Sequence, residues 1–165
     1  MRTLILMRHA KAVKATEAPS DPARGLAPRG RRDAATAGSA LAAAGLKPEL
    51  ALISIAQRTR ETADLTLAKT SAQARYEDAL YNASPEGIWD AFMASDGETV
   101  IVIGHNPGMS ELVSLLIAQA HDKSKAAREF VNNMPTAAFV AFDIRGDVLD
   151  AAGPTVRAMW RPEKE

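Results

Sequence analysis

The fold this sequence predicts is a three-layer α/β/α sandwich around a mainly parallel sheet, with the last strands forming an antiparallel edge. Two observations carry the expectation. Short apolar runs recur at 4–7, 50–54 and 99–103, and segments with apolar residues at helical spacing lie between them. Strands alternating with helices build parallel sheets covered on both faces. A length of 165 residues with 47% hydrophobic content also suits one compact domain spanning 1–165.

Taken in order, residues 3–7 lack turn formers and read as a buried strand that ends at Arg8 and His9. From 11 to 28 the chain holds Pro19, Pro22, Pro28 and Gly25, so a polar surface loop is expected, with no helix before Arg29. Residues 29–44 place Ala34, Ala37, Leu41 and Ala44 on one face and stop at Gly45, a helix with a left-handed C-terminal cap. A strand at 50–54 precedes a helix within 57–69. A weaker strand at 74–77 precedes Ser84-Pro85-Glu86, which supplies an N-cap, a first-turn proline and a first-turn acid. That helix has Ile88, Trp89, Phe92 and Met93 on its apolar face. The β-branched run at 99–103 and the break at 104–108 lead into an amphipathic helix through Met109, Leu112, Val113, Leu116 and Ile117. Late strands at 137–142 and 156–160 flank the turn signal Arg145-Gly146-Asp147. The polar segment 120–128, which contains His121, reads as solvated surface.

Twenty basic residues balance twenty acidic ones, so no global field draws the chain to nucleic acid or an anionic membrane. Any anion site must be local. The absence of cysteine excludes disulfides, thiolate metal sites and cysteine nucleophiles, and suits a reducing cytoplasm. The apolar run before Arg8 is too short for a signal-peptide core or a membrane span, so a soluble cytoplasmic protein is expected.

Ligands of open α/β sheets bind beyond the carboxyl ends of the strands, and His9 and His105 both fall at such ends. A lone histidine there is more often structural than chemical. Two together, with arginines beside them, point elsewhere. The spacing of three zinc ligands is missing, as are Gly-x-x-x-x-Gly-Lys-Ser/Thr and Gly-x-Gly-x-x-Gly loops, so neither metal catalysis nor nucleotide binding is expected. Guanidinium groups match two phosphoryl oxygens with paired donors. Arg8 is adjacent to His9, and Arg58 lies in the first turn of the second helix, whose dipole favours anions. Arg60, two residues on, projects from another face.

Five segments, LILMRHAKA (4–12), DPARGLAPRGRRDA (21–34), SIAQRTRETAD (54–64), VIGHNPGMSEL (102–112) and MPTAAFVAF (134–142), together resemble the histidine phosphatase superfamily. They are most similar to its short SixA-like phosphohistidine phosphatase branch. The resemblance implies a phosphoglycerate-mutase-like fold and a phosphatase without a cofactor. It assigns His9 as nucleophile, Arg8 and Arg58 as phosphate clamps, and His105 as a further, protonated donor. It adds Arg24 and Asn106 to the substrate-binding set. Ala10 replaces the commoner glycine, and Ile55 stands where proline is usual.

An unperturbed imidazole pKa of about 6.5 leaves His9 available for attack near neutral pH, with its second ring nitrogen donating to a backbone carbonyl. The proton donor is open. Glu77, Asp78 and Glu86 are candidates that sit in no matching motif, and Asp21, at the start of the matching segment 21–34, is the alternative. An alkoxide leaving group needs an acid, and an imidazole needs one less. Phosphohistidine in a signalling or phosphotransfer protein is therefore the expected substrate, with inorganic phosphate as product. A small-molecule phosphomonoesterase is the alternative within the superfamily, and a non-catalytic phosphoprotein-binding module the alternative outside it.

Overall fold

The computed structural model describes residues 1–146 and 153–164. Six strands form one sheet in the order β3-β2-β4-β1-β5-β6. They are β1 (Arg2–Arg8), β2 (Leu50–Ser54), β3 (Gln73–Glu77), β4 (Thr99–Gly104), β5 (Phe139–Ile144) and β6 (Thr155–Trp160). The first four are mutually parallel, β5 runs antiparallel to β1, and β6 runs antiparallel to β5. The expected antiparallel edge is present. Among the described residues, five α-helices cover the sheet: α1 (Pro28–Ala43), α2 (Gln57–Thr66), α3 (Pro85–Ala94), α4 (Gly108–Gln119) and α5 (Lys125–Asn132).

Period-two alternation divides the strand residues between two cores. Leu4, Leu6, Leu52, Val100 and Val102 face α3, α4 and α5, where they meet Ile88, Phe92, Leu112, Leu116 and Phe130. Ile5, Met7, Ile53, Ile101 and Ile103 face α1 and α2 through Ala34, Ala37, Leu41 and Ala63. The central strands β1 and β4 are buried on both sides, which is why their sequences are continuous apolar runs. Each fully buried Leu, Ile, Val, Met or Phe side chain contributes about 1.5–3 kcal/mol. Among the described residues, no helix is long and apolar enough to cross a membrane.

Several boundaries differ from expectation for local reasons. Strand β5 starts at Phe139 because Ala137 has a positive φ of 66°, and its N–H turns back to the carbonyls of Arg8 and His9. The loop at 11–28 contains a one-turn 3₁₀ helix at Ala15–Glu17 and a bridge between Ala12 and Leu26. The polar segment at 120–128 is only partly solvated surface. His121 is exposed, but Ser124 caps α5 through its hydroxyl and Ala127 is fully buried. Of the turn signal, Gly146 has a positive φ of 79°, and Asp147 lies outside the described residues.

Candidate active site

Because β1 and β4 are adjacent and parallel, with Arg8 beside Gly104, the residues after each strand emerge together. His9 follows β1, His105 follows β4, and their ring centroids are 5.4 Å apart. Strand β2 ends at Ser54, and α2 carries Arg58 back over the same end. Both histidines and Arg58 are buried, with 9%, 3% and 4% of their surface exposed.

Hydrogen bonds fix both ring tautomers. His9 Nδ1 lies 2.7 Å from the Ala10 carbonyl, which can only accept, so Nδ1 carries the proton and Nε2 keeps its lone pair. The Ala10 N–H donates to Thr62 Oγ1 at 3.0 Å, and that hydroxyl donates to the Arg58 carbonyl at 2.7 Å. Thr62 therefore ties Ala10, whose carbonyl orients His9, to the helix that carries Arg58. His105 Nδ1 accepts from Arg58 Nη2 at 3.2 Å, which leaves Nε2–H to donate to Ser54 Oγ at 2.7 Å.

Burial, then the neighbouring His105, Arg58 and Arg8, push the His9 pKa down to about 3, although the Ala10 carbonyl acts in the opposite direction. Burial and then Arg58 push His105 down to about 4. Both rings are neutral at pH 7. The protonated His105 expected from the sequence is thus corrected for the phosphate-free site: two cationic guanidiniums nearby disfavour a third positive charge.

Arg8 donates through Nη1 to the Met134 carbonyl at 3.1 Å, while its Nε is buried without a hydrogen-bond partner among the described residues. Burial lowers its pKa. An unpartnered buried guanidinium N–H is costly unless an acceptor arrives. Arg58 spends Nη1 on the Asp21 carbonyl and Nη2 on the Asp21 carboxylate, at 2.9 and 3.1 Å. Arg24 donates to the other carboxylate oxygen of Asp21 at 3.0 Å, and through Nε to the Val13 carbonyl.

The candidate acids do not emerge as proton donors. Asp21 accepts from Tyr81, Arg24 and Arg58, which hold its carboxyl well below the usual carboxylate range, so it carries no proton at neutral pH. Glu77 closes β3, Asp78 opens the next turn and Glu86 is exposed on α3. Among the described residues, none of the three hydrogen-bonds to His9, His105, Arg8 or Arg58. Asn106 is engaged structurally: Nδ2 donates to the Met134 carbonyl and Oδ1 accepts from the Ser110 N–H. Arg60 stacks over Tyr76, 4.5 Å from the ring centroid and outside the cluster. No three His, Asp or Glu side chains among the described residues gather as metal ligands.

Four contributors went unrecognised in the sequence. Ser54 and Thr62 lie inside the segment that carries Arg58, so a role for each was discoverable there. Tyr81 sets its ring edge against His105, with centroids 5.4 Å apart, and donates its hydroxyl to Asp21. It stands in the stretch YEDALYNASPE, read for acids only. The Met134 carbonyl had no sequence signal, because any residue type presents the same group.

The profile of the histidine phosphatase superfamily (branch 1) matches residues 4–90. An uncharacterised protein of Mycobacterium leprae is 33% identical over 145 residues, covering 85% of this chain and 88% of its own length. A candidate phosphohistidine phosphatase SixA from Nakamurella multipartitia is 33% identical with a TM-score of 0.83, over 98% of this chain and 96% of that one. Another, from Agrobacterium tumefaciens, is 25% identical with a TM-score of 0.81, over 98% and 99% of the two chains.

Proposed function

The chain belongs to the histidine phosphatase superfamily, in its SixA-like branch, and from this premise we propose that it hydrolyses phosphohistidine in a signalling or phosphotransfer protein through a phosphoryl group carried on His9. One observation carries the reading: His9 Nδ1–H is held by the Ala10 carbonyl, so Nε2 offers a lone pair inside a site whose positive charge comes from guanidiniums. The ring stays neutral there because protonation is disfavoured down to about pH 3. That makes it a ready nucleophile throughout the neutral range.

In the first step the Nε2 lone pair forms a bond to phosphorus, and the bond to the substrate nitrogen breaks with its electron pair returning to that nitrogen. Arg8 and Arg58 stabilise the equatorial oxygens, with the unpartnered Nε of Arg8 supplying a donor already in place. The phosphoryl charge draws Arg58 Nη2 off His105 Nδ1 and raises the proton affinity of that ring, which then takes a proton from solvent at Nδ1 and hydrogen-bonds through it to a phosphoryl oxygen. Water next attacks phosphorus, the bond to Nε2 breaks, and His9 regains its lone pair as phosphate leaves. Arg8, Arg58 and the protonated His105 supply the positive charge, so the reading calls for no metal ion or cofactor. With Asp21 ionised and Glu77 and Asp78 outside the cluster, the site suits a nitrogen leaving group over an alkoxide.

The test is to mix enzyme with a phosphohistidine peptide, quench without acid and look for an acid-labile phosphoenzyme. Trapping it in the wild type and losing it in His9→Ala is the expected result. Full turnover by His9→Ala would remove the covalent mechanism, and equal or better rates on sugar phosphates would remove the substrate assignment.

A further inference from the structure

Asp21 presents a feature that phosphate binding alone does not explain. A carboxylate beside a phosphate clamp weakens it, yet Asp21 bonds Arg58 through both its carbonyl and its carboxylate. Tyr81 and Arg24 hold the same carboxylate. A carboxylate has roughly four lone-pair sites. Arg58 and Tyr81 both bond Oδ2, Arg24 bonds Oδ1, and a second position on Oδ1 remains open. The side chain is 44% exposed, so the carboxylate is accessible from solvent. The open position belongs to a carboxylate held by three side chains.

The leaving side of the proposed reaction calls for such an acceptor. On the enzyme, Nδ1–H of His9 rests on the Ala10 carbonyl, so attack through Nε2 leaves positive charge on a ring that already has an acceptor for its N–H. Transfer from one imidazole to another is symmetric. A phosphohistidine ring protonated on its free nitrogen departs as neutral imidazole when the P–N bond breaks, its electron pair returning to the ring, and no acid has to deliver a proton. Resting on the phosphohistidine reading, the geometry points to Asp21 as the specificity residue that accepts the N–H of this cationic ring. It thereby favours phosphoryl groups carried on a protonated imidazole over dianionic phosphomonoesters. Tyr81 is the positioning residue that holds the carboxylate in place, its ring set against His105.

Charge supports the same selection. With both histidines neutral, Arg8, Arg24 and Arg58 against Asp21 leave the site at a net +2, and a phosphoryl dianion on a cationic ring carries a net −1 where an ester dianion carries −2. Removing the carboxylate charge leaves +3, which suits an ester dianion better.

The experiment compares kcat/KM for a histidine peptide phosphorylated with phosphoramidate against kcat/KM for para-nitrophenyl phosphate, whose phenolate leaves without an acid, so the ratio reports charge and not proton delivery. Asp21→Asn should lower the peptide-to-ester ratio by about tenfold or more, the scale of one lost charge-assisted hydrogen bond. Tyr81→Phe should move it the same way by a smaller factor, with the thermal midpoint checked in both. Should Asp21→Asn fail to fold, the ratio in Tyr81→Phe decides. An unchanged ratio, with the wild type still active on the peptide, overturns the role of Asp21 and leaves the proposed function standing. A wild type that hydrolyses only the ester overturns both, and is told apart by the wild-type rates alone.

Discussion

His9 and His105 are bonded in opposite senses: His9 donates from Nδ1 and leaves Nε2 free, whereas His105 donates from Nε2 and accepts at Nδ1. Both are held neutral, and this has a consequence for stability. Each pKa falls from 6.5 in the unfolded chain to about 3 for His9 and about 4 for His105. Below pH 6.5 the unfolded state binds the more protons, so stability is full above that pH and is lost as pH falls toward the folded values. Between pH 7 and pH 5 the loss is on the order of 2 kcal/mol per histidine. Chemical denaturation at the two pH values should show it, and the pair His9→Asn with His105→Gln, which keeps each ring's donor, should flatten the difference. Asp21 acts in another window. Its depressed pKa adds stability that is present above about pH 3.8 and lost only below it. The identities of His9, Arg8, Arg58 and His105 as a cluster were legible because strand ends and helix starts carry them. The charge state of His105 and the ionised state of Asp21 were not, since each depends on which partners stand around it.

At the scale of elements, α4 must start close beneath the loop before α3. Gly108 opens α4, and a Cβ there would collide with the Ala83 carbonyl. That contact is with backbone, so Gly108→Ala must push the helix start away. Because the Met109 N–H bonds the His105 carbonyl, His105 moves with it. A loss of about 1–3 kcal/mol of stability, together with a drop in turnover larger than any change in KM, is the expected outcome of denaturation and steady-state kinetics. Strands β1, β2 and β4 were legible as continuous apolar runs, and α3 from its Ser84-Pro85 cap. Helix α5 was not, because it continues a polar run that reads as solvated surface, and among its described residues only Ala127 and Phe130 are buried. The start of β5 was missed by two residues because the backbone turn at Ala137 is imposed by the end of β1, far away in sequence.

For the molecule as a whole, two cores share one sheet, and β1 and β4 contribute to both. Neither core can be lost without exposing the other face of those strands. Calorimetry should therefore show a single unfolding transition. The proposed reaction releases inorganic phosphate from this site, so added phosphate should raise the midpoint, by the equivalent of about 2.7 kcal/mol at a hundredfold excess over its dissociation constant. Arg58→Ala should abolish that shift, and a shift that survived would place phosphate elsewhere. The alternation of apolar runs with helical spacing determined the α/β/α class, and the charged residues at strand ends determined which chemistry to look for, because both depend on local order along the chain. The tertiary structure alone decided the rest. It brought Asp21 and Tyr81 to Arg58, set Thr62 behind His9, and turned Asp21 from a candidate acid into a fixed carboxylate, since protonation and orientation are properties of neighbours that meet only when the sheet assembles.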